Sequence, residues 1–168
     1  GLKAEAVVGD FDSVLNLDDT PKLHAPDQNF TDFQKALDTV DAPVILAVGF
    51  LGGRLDHQLA AFTALLKDAR PVVLVSKTEL CFIAPETFTV PVPDGTPVSA
   101  YPLRPCRGGI EGVAYPLVDV AMDPAGQIST SNVVKGDTLT VHSDHRALLV
   151  ILPVAVLPQV ISVLSPKP

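Results

Sequence analysis

At 168 residues, the chain is long enough for one large domain or two small ones with a buried core. Apolar residues make up 47% and charged residues 18%, which excludes a disordered, collagen-like or coiled-coil chain. With 12 basic and 19 acidic side chains the net charge is −7, so the surface suits a cationic or metal-bridged ligand better than nucleic-acid phosphates.

The charge is uneven. Residues up to Glu86 carry 7 basic and 13 acidic side chains, and eight of those acids fall between Asp10 and Asp41. Ala6-Val7-Val8 reads as a buried strand that ends at Gly9-Asp10, the end where ligand groups gather in open α/β sheets. In Gly9-Asp10-Phe11-Asp12-Ser13 the two carboxylates lie two residues apart, so an extended backbone points both the same way. Such a pair suits Mg²⁺, which takes one or two carboxylates beside substrate phosphates; turn chemistry is the plainer reading.

Thr31 to Val40 repeats apolar residues at Phe33, Ala36, Leu37 and Val40, which predicts an amphipathic helix with Thr31 as N-cap and Asp32 in its first turn. That helix start caps itself or holds a phosphate. Pro43 to Gly49 reads as a second buried strand. A second helix is predicted from Leu55 to Lys67, burying Leu59, Phe62, Leu65 and Leu66, and Val72 to Val75 as a further strand. The order β-α-β-α-β predicts a parallel sheet.

The most informative stretch is Gly49-Phe-Leu-Gly52-Gly53-Arg54-Leu-Asp56-His57, where a strand ends in a glycine-rich turn that opens into a helix. Such turns bring backbone N–H groups close to phosphate oxygens. Arg54 adds a forked donor, and Asp56 and His57 bring acceptor and titratable groups. Without Gly-Lys-Ser/Thr it is not a Walker A loop.

After Lys77 the helical period gives way to short apolar runs at Glu79–Ala84, Phe88–Val92, Val98–Tyr101, Thr138–His142 and Leu148–Leu152. With 16 prolines in the chain, crowded after Pro85, these runs predict a β-sandwich or barrel. The domain boundary is placed near Pro85, giving residues 1–85 and 86–168. Ser129-Thr130-Ser131-Asn132 reads as a polar turn at a strand end. Tyr115 and Tyr101 either stack on a heteroaromatic ligand or pack in the core. Cys81 and Cys106 lack zinc-ligand spacing and read as buried thiols. The tail from Val150 to Leu164, broken by Pro153 and Pro158, is too short to span a bilayer and reads as a closing strand with a short helix or coil. No secretory leader pattern is visible, and the chain is expected to be cytoplasmic.

Taken together, Gly9-Asp-Phe-Asp-Ser13, Thr31-Asp32 with Ala36-Leu37, Gly52-Gly-Arg-Leu-Asp-His57 and Thr130-Ser-Asn132 resemble the thiamine pyrophosphokinase family in the same order. The resemblance covers nearly the whole chain, and Gly-Gly-Arg-x-Asp-His is its specific element. It implies an α/β fold in which a parallel-sheet nucleotide-binding domain precedes an all-β sandwich, assembled as a homodimer with active sites between subunits. The implied reaction transfers pyrophosphate from ATP to thiamine with Mg²⁺, releasing AMP. By resemblance Asp10, Asp12 and Asp32 hold the metal. Gly52, Gly53, Arg54 and His57 hold the nucleotide, with Asp12, Arg54 and Asp56 in the chemistry. Tyr115, Ser131 and Asn132 face thiamine. A non-catalytic thiamine or nucleotide binder is the alternative. Two departures stand out: Asn29 replaces the Asp of the family's Asp-x-Thr-Asp, and the family's earlier strand and helix, with an Asp-Gly-Gly-Ala-like segment, has no counterpart before Gly1. The resemblance thus implies an α/β domain incomplete at its N-terminus.

Overall fold

The computed structural model describes residues 4–9, 20–25 and 29–166. The chain divides into two compact units, Gly1–Ala42 and Pro43–Pro168. In the first, β1 (Val7–Gly9) pairs in parallel with β2 (Lys22–His24), and α1 (Asp32–Thr39) lies against β1. Thr31 Oγ1 accepts the Gln34 N–H at 3.3 Å, so Thr31 is the N-cap the sequence predicts. Phe33 and Leu37 are buried, whereas Val40 is exposed.

The second unit begins with β3 (Ile45–Val48), α2 (Leu55–Lys67) and β4 (Val72–Val75). Three residues then connect β4 to β5 (Glu79–Ile83). Short antiparallel strands follow: β6 (Thr87–Pro91), β7 (Pro97–Pro102), β8 (Cys106–Glu111), β9 (Leu117–Met122), β10 (Ser129–Val133), β11 (Thr138–Ser143) and β12 (Leu148–Pro153). A 3-10 turn and α3 (Leu157–Leu164) close the chain.

Strands β10-β7-β12-β5-β4-β3 form a six-stranded sheet and β6-β11-β8-β9 a four-stranded one. The sequence predicts one parallel sheet from the first three apolar strands. Among the described residues, parallel pairing instead occurs twice, in β1–β2 and β3–β4, and the larger sheet is antiparallel from β4 onward. The cause is the β4–β5 connection, which is far too short for the crossover that parallel neighbours need. The result is a mixed, sheet-rich α/β fold. β5 and β6, on either side of Pro85, lie in different sheets.

The two sheets share one apolar core. Val73, Leu80, Phe82, Val150 and Leu152 of the six-stranded sheet join Phe88, Val90, Ile110, Leu139 and Val141 of the four-stranded sheet, with Val160 and Leu164 of α3. Phe82 and Phe88 meet edge to face with ring centroids 5.0 Å apart, a preferred aromatic geometry. Cys81 and Cys106 are free and buried, as expected; burial pushes the Cys81 thiol up to about 12.

Two burial expectations change. α2 turns Ala61, Ala64 and Leu65 inward, leaving Leu59 56% exposed. Leu65 is buried as predicted and Phe62 and Leu66 are half-buried, so the inward face is shifted toward the alanines rather than replaced. β3 is half-buried: Ile45 and Ala47 are covered, while Leu46 and Val48 are exposed. It is an edge strand whose alternate residues point to opposite faces. No helix among the described residues is long and apolar enough to cross a membrane.

Candidate active site

β3 ends at Val48, and the chain turns through Gly49-Phe-Leu-Gly-Gly before α2 begins at Leu55. Gly49 (φ +90°) and Gly52 (φ +80°) hold left-handed backbone conformations. Nothing lies within 4 Å of where a Cβ would stand on either. Backbone geometry therefore demands glycine here, and the space beside the turn stays open. A cleft of about 770 Å³ occupies that side, lined by Gly49, Leu51, Gly52, Gln58 and Phe62, by β-strand residues Val75, Cys81 and Ile151, and by the Ser76–Glu79 turn. It lies where β3 and β4, parallel neighbours, both end, the position at which open α/β sheets bind ligands.

Arg54 and Asp56 form a forked pair: Nε donates to Oδ1 at 3.1 Å and Nη2 to Oδ2 at 2.6 Å. Asp56 Oδ1 also accepts the His57 N–H at 3.0 Å. The Arg54 guanidinium, first of all, holds the Asp56 carboxyl down to about 2. Both side chains are exposed, at 72% and 64%. Gln58 Oε1 accepts the Gly52 N–H at 3.3 Å, tying the turn to the helix. Gly53 and His57 are exposed.

The thiamine-side candidates lie on β10 and near it. The sequence reads Ser129–Asn132 as a turn; it is a strand, paired with β7 through a register shift between Ser129 and Asn132. Ser131 sits in that irregularity at φ +56°, a conformation costly for a residue with a Cβ. Its N–H donates to Ser99 Oγ at 3.2 Å. It lines a second groove, of about 370 Å³, with Thr78, Glu79, Ser99 and Ile151. Thr78, Glu79 and Ile151 line both spaces, which therefore adjoin.

Asn132 is buried, and its amide is spent on backbone. Its Oδ1 accepts the Tyr115 N–H at 3.1 Å, and its Nδ2 donates to the Tyr115 carbonyl at 2.7 Å. Tyr115 itself is 74% exposed, so Asn132 fixes the backbone from which an open tyrosine projects.

Asp32 belongs to the first unit, where it accepts from Lys35 Nζ at 3.3 Å. Asp10 and Asp12 lie outside the described residues. Among the described residues no group of three or more His, Cys, Asp or Glu side chains comes together as a metal site. Sequence reasoning missed Gln58 and the Ser76–Glu79 turn. The signal for that turn was present: an apolar strand, Val72–Val75, ending in polar residues, the same reasoning that singled out Gly9 and Gly49.

Comparison with known proteins adds to this geometry. The profile described as thiamin pyrophosphokinase, catalytic domain, matches residues 1–75. Thiamine pyrophosphokinase 1 of Arabidopsis thaliana is 29% identical over 87% of the chain and 64% of its own length. The enzyme of the same name from Oryza sativa is 27% identical over 84% and 63%. Thiamin pyrophosphokinase from Geobacillus thermodenitrificans superposes with a TM-score of 0.71 at 26% identity, covering 87% of this chain and 75% of that one. The chain is thus similar to the thiamin pyrophosphokinase family, in sequence over residues 1–75 and in fold over most of its length. The Bacillus subtilis thiamine pyrophosphokinase, at 20% identity, shares the fold with a TM-score of 0.76 over 91% of this chain and 79% of that one. Against the two plant family members the chain spans less than two thirds of their length.

Proposed function

We propose that the chain carries the chemistry of a thiamine diphosphokinase, transferring pyrophosphate from ATP to thiamine. The observation that carries this reading is the Gly49–His57 turn, which presents glycine amides, a helix N-terminus and an arginine fork beside an open cleft. In the reading, the N-terminal α/β part binds the nucleotide and the later β part binds thiamine, with the division near Pro85. Gly52 and Gly53 offer amides to phosphate oxygens, and Arg54 and His57 add donors at the helix start. Thiamine's hydroxyl oxygen bonds to the β-phosphorus while the bond from that phosphorus to the α–β bridging oxygen breaks. AMP leaves with the bridging oxygen.

Asp56 is a poor general base in this scheme. A carboxylate held at about 2 takes up a proton weakly near neutrality. Its contribution is to preset the guanidinium fork so that a phosphate exchanges for, or shares, its two donors. Such catalysis is mostly positioning and charge neutralisation.

Mg²⁺ belongs to the same reading as the counter-ion of the triphosphate, which it would neutralise and orient. Asp10, Asp12 and Asp32 are its proposed ligands, with Asp32 the one among the described residues. Ser131 and Tyr115 would face thiamine, with Asn132 holding Tyr115 in place. A homodimer with intersubunit sites belongs to the same reading. The reading places the protein in the cytoplasm.

The test is product analysis with ATP, Mg²⁺ and thiamine. Formation of thiamine diphosphate with equimolar AMP is expected. Release of ADP with thiamine monophosphate would make the protein a simple kinase. Binding of both ligands without turnover would make it the non-catalytic homologue.

A further inference from the structure

Among the residues lining the larger cleft, Lys77 is the one cation and Glu79 the one anion. Arg54 is absent from that lining and pairs with Asp56. Lys77 lies on the connection between β4 and β5, whose backbone is locked. Ser76 Oγ accepts the N–H groups of Thr78 at 3.2 Å and Glu79 at 2.9 Å, and the Ser76 N–H donates to the Glu79 carbonyl at 2.8 Å. The lysine stem therefore leaves a fixed point on the lining that it shares with Gly49 and Gly52. Lys77 makes no hydrogen bond or ion pair among the described residues. Glu79 lines the neighbouring groove as well, whereas Lys77 lines only the cleft beside the glycines.

We infer that Lys77 is a further polyphosphate-binding residue of this cleft, gripping the phosphate chain beside the Gly49–Gly52 turn. The inference rests on the proposed nucleotide site and adds to it a contact that the Gly-Gly-Arg-x-Asp-His element does not contain. The chemistry is that of a compact, mobile ammonium on a flexible stem, suited to follow a phosphate chain as its charge shifts. In a chain of net charge −7, a cation without an ion-pair partner among the described residues gives the cleft beside the glycine turn a local attraction for anions.

Calorimetric titration of the full chain with inorganic tripolyphosphate, and separately with ATP, tests this without requiring turnover. Lys77→Gln should weaken both about tenfold and flatten the salt dependence of binding. Lys77→Arg should stay within about threefold of the parent. Glu79→Gln, on the same turn, should bind tripolyphosphate at least as tightly as the parent. Unchanged affinity in Lys77→Gln would overturn the inference, as would equal weakening in Glu79→Gln, which would mark a general loosening of the turn. Melting curves check that each variant is folded. A parent that binds tripolyphosphate through Lys77 but makes no thiamine diphosphate would remove the proposed function and leave this site standing. An active parent with an indifferent Lys77 would do the reverse.

Discussion

The two ends of α2 carry the same forked Arg–Asp pair in opposite settings. At the N-terminus Arg54 and Asp56 are 72% and 64% exposed; at the C-terminus Arg70 and Asp68 are 31% and 11% exposed, and the shortest N–O distance is 2.6 Å in both. The geometry of the pair therefore does not decide its role; its surroundings do. Beyond Asp68, the Arg146 guanidinium reaches the backbone carbonyls of Asp68 at 2.8 Å, of Ala69, and of Arg70 at 3.3 Å. Arg104 in turn donates to the Arg146 carbonyl at 2.7 Å. The chain that leaves this end of the helix is thus held by a cation, the charge that a helix C-terminus favours. Among the described residues the opposite end has no such clamp, and an exposed pair contributes little to stability. One end of α2 is anchored, and the other is left able to change partners.

The sharpest way to break this contrast is to remove one arginine from each end. Arg54→Ala should lower the rate of thiamine diphosphate formation by about 100-fold or more, the cost of losing a charged donor at a transferring phosphate, and leave the melting temperature unchanged. Arg146→Ala should act in the opposite sense. Losing a part-buried guanidinium that serves three carbonyls should cost about 2–3 kcal/mol, a drop of several degrees in melting temperature, with little effect on the rate per folded molecule. Steady-state kinetics and thermal denaturation on both variants check this. A large stability loss in Arg54→Ala, or a rate loss without destabilisation in Arg146→Ala, would erase the distinction.

How much of this was legible beforehand follows the same line between local and long-range causes. The bounds of α2 and β4 are those the periodicity predicts, because each is set by a strong local pattern and closed by charged or proline residues. The face that α2 buries was legible only in part: Leu65 is buried as its spacing predicts, whereas Leu59 is exposed and the less hydrophobic Ala61 and Ala64 are buried. β8 escaped notice because Gly108 and Gly109 dilute its apolar pattern. Those glycines are required by contact, since a Cβ on Gly108 would stand 2.3 Å from the His142 carbonyl oxygen of the adjoining strand. At the site, the glycine turn and its Arg-x-Asp-His extension were readable as a unit. That Lys77, just after β4, lines the same cleft was not, because only the fold brings the two turns to one space. Asn132 marks a further limit, because sequence does not tell a ligand-facing amide from one that bonds to backbone, as this one does at Tyr115.

The smallest expected effect concerns acid, and it sharpens the contrast by charge alone. Asp68 accepts the Arg70 N–H at 2.9 Å and both arms of its fork; hydrogen bonding to Arg70, opposed in part by burial, holds its carboxyl below the usual range. A carboxyl depressed in the folded state contributes stability above its unfolded value, near 4, and loses that contribution as pH falls through the folded one. Asp68→Asn keeps the size and one acceptor oxygen but not the charge, and should cost about 1 kcal/mol at pH 7. The gap in stability between this variant and the parent should then narrow below pH 4, as protonation removes the same charge from the parent. Asp56→Asn, at the exposed end, should show no comparable gap at any pH, although Arg54 holds that carboxyl at about 2, because water screens the pair. Denaturant titrations of both variants between pH 2 and pH 7 measure this directly. A gap for Asp68→Asn that stays constant down to pH 2 would mean that its charge is not what binds this end of the helix.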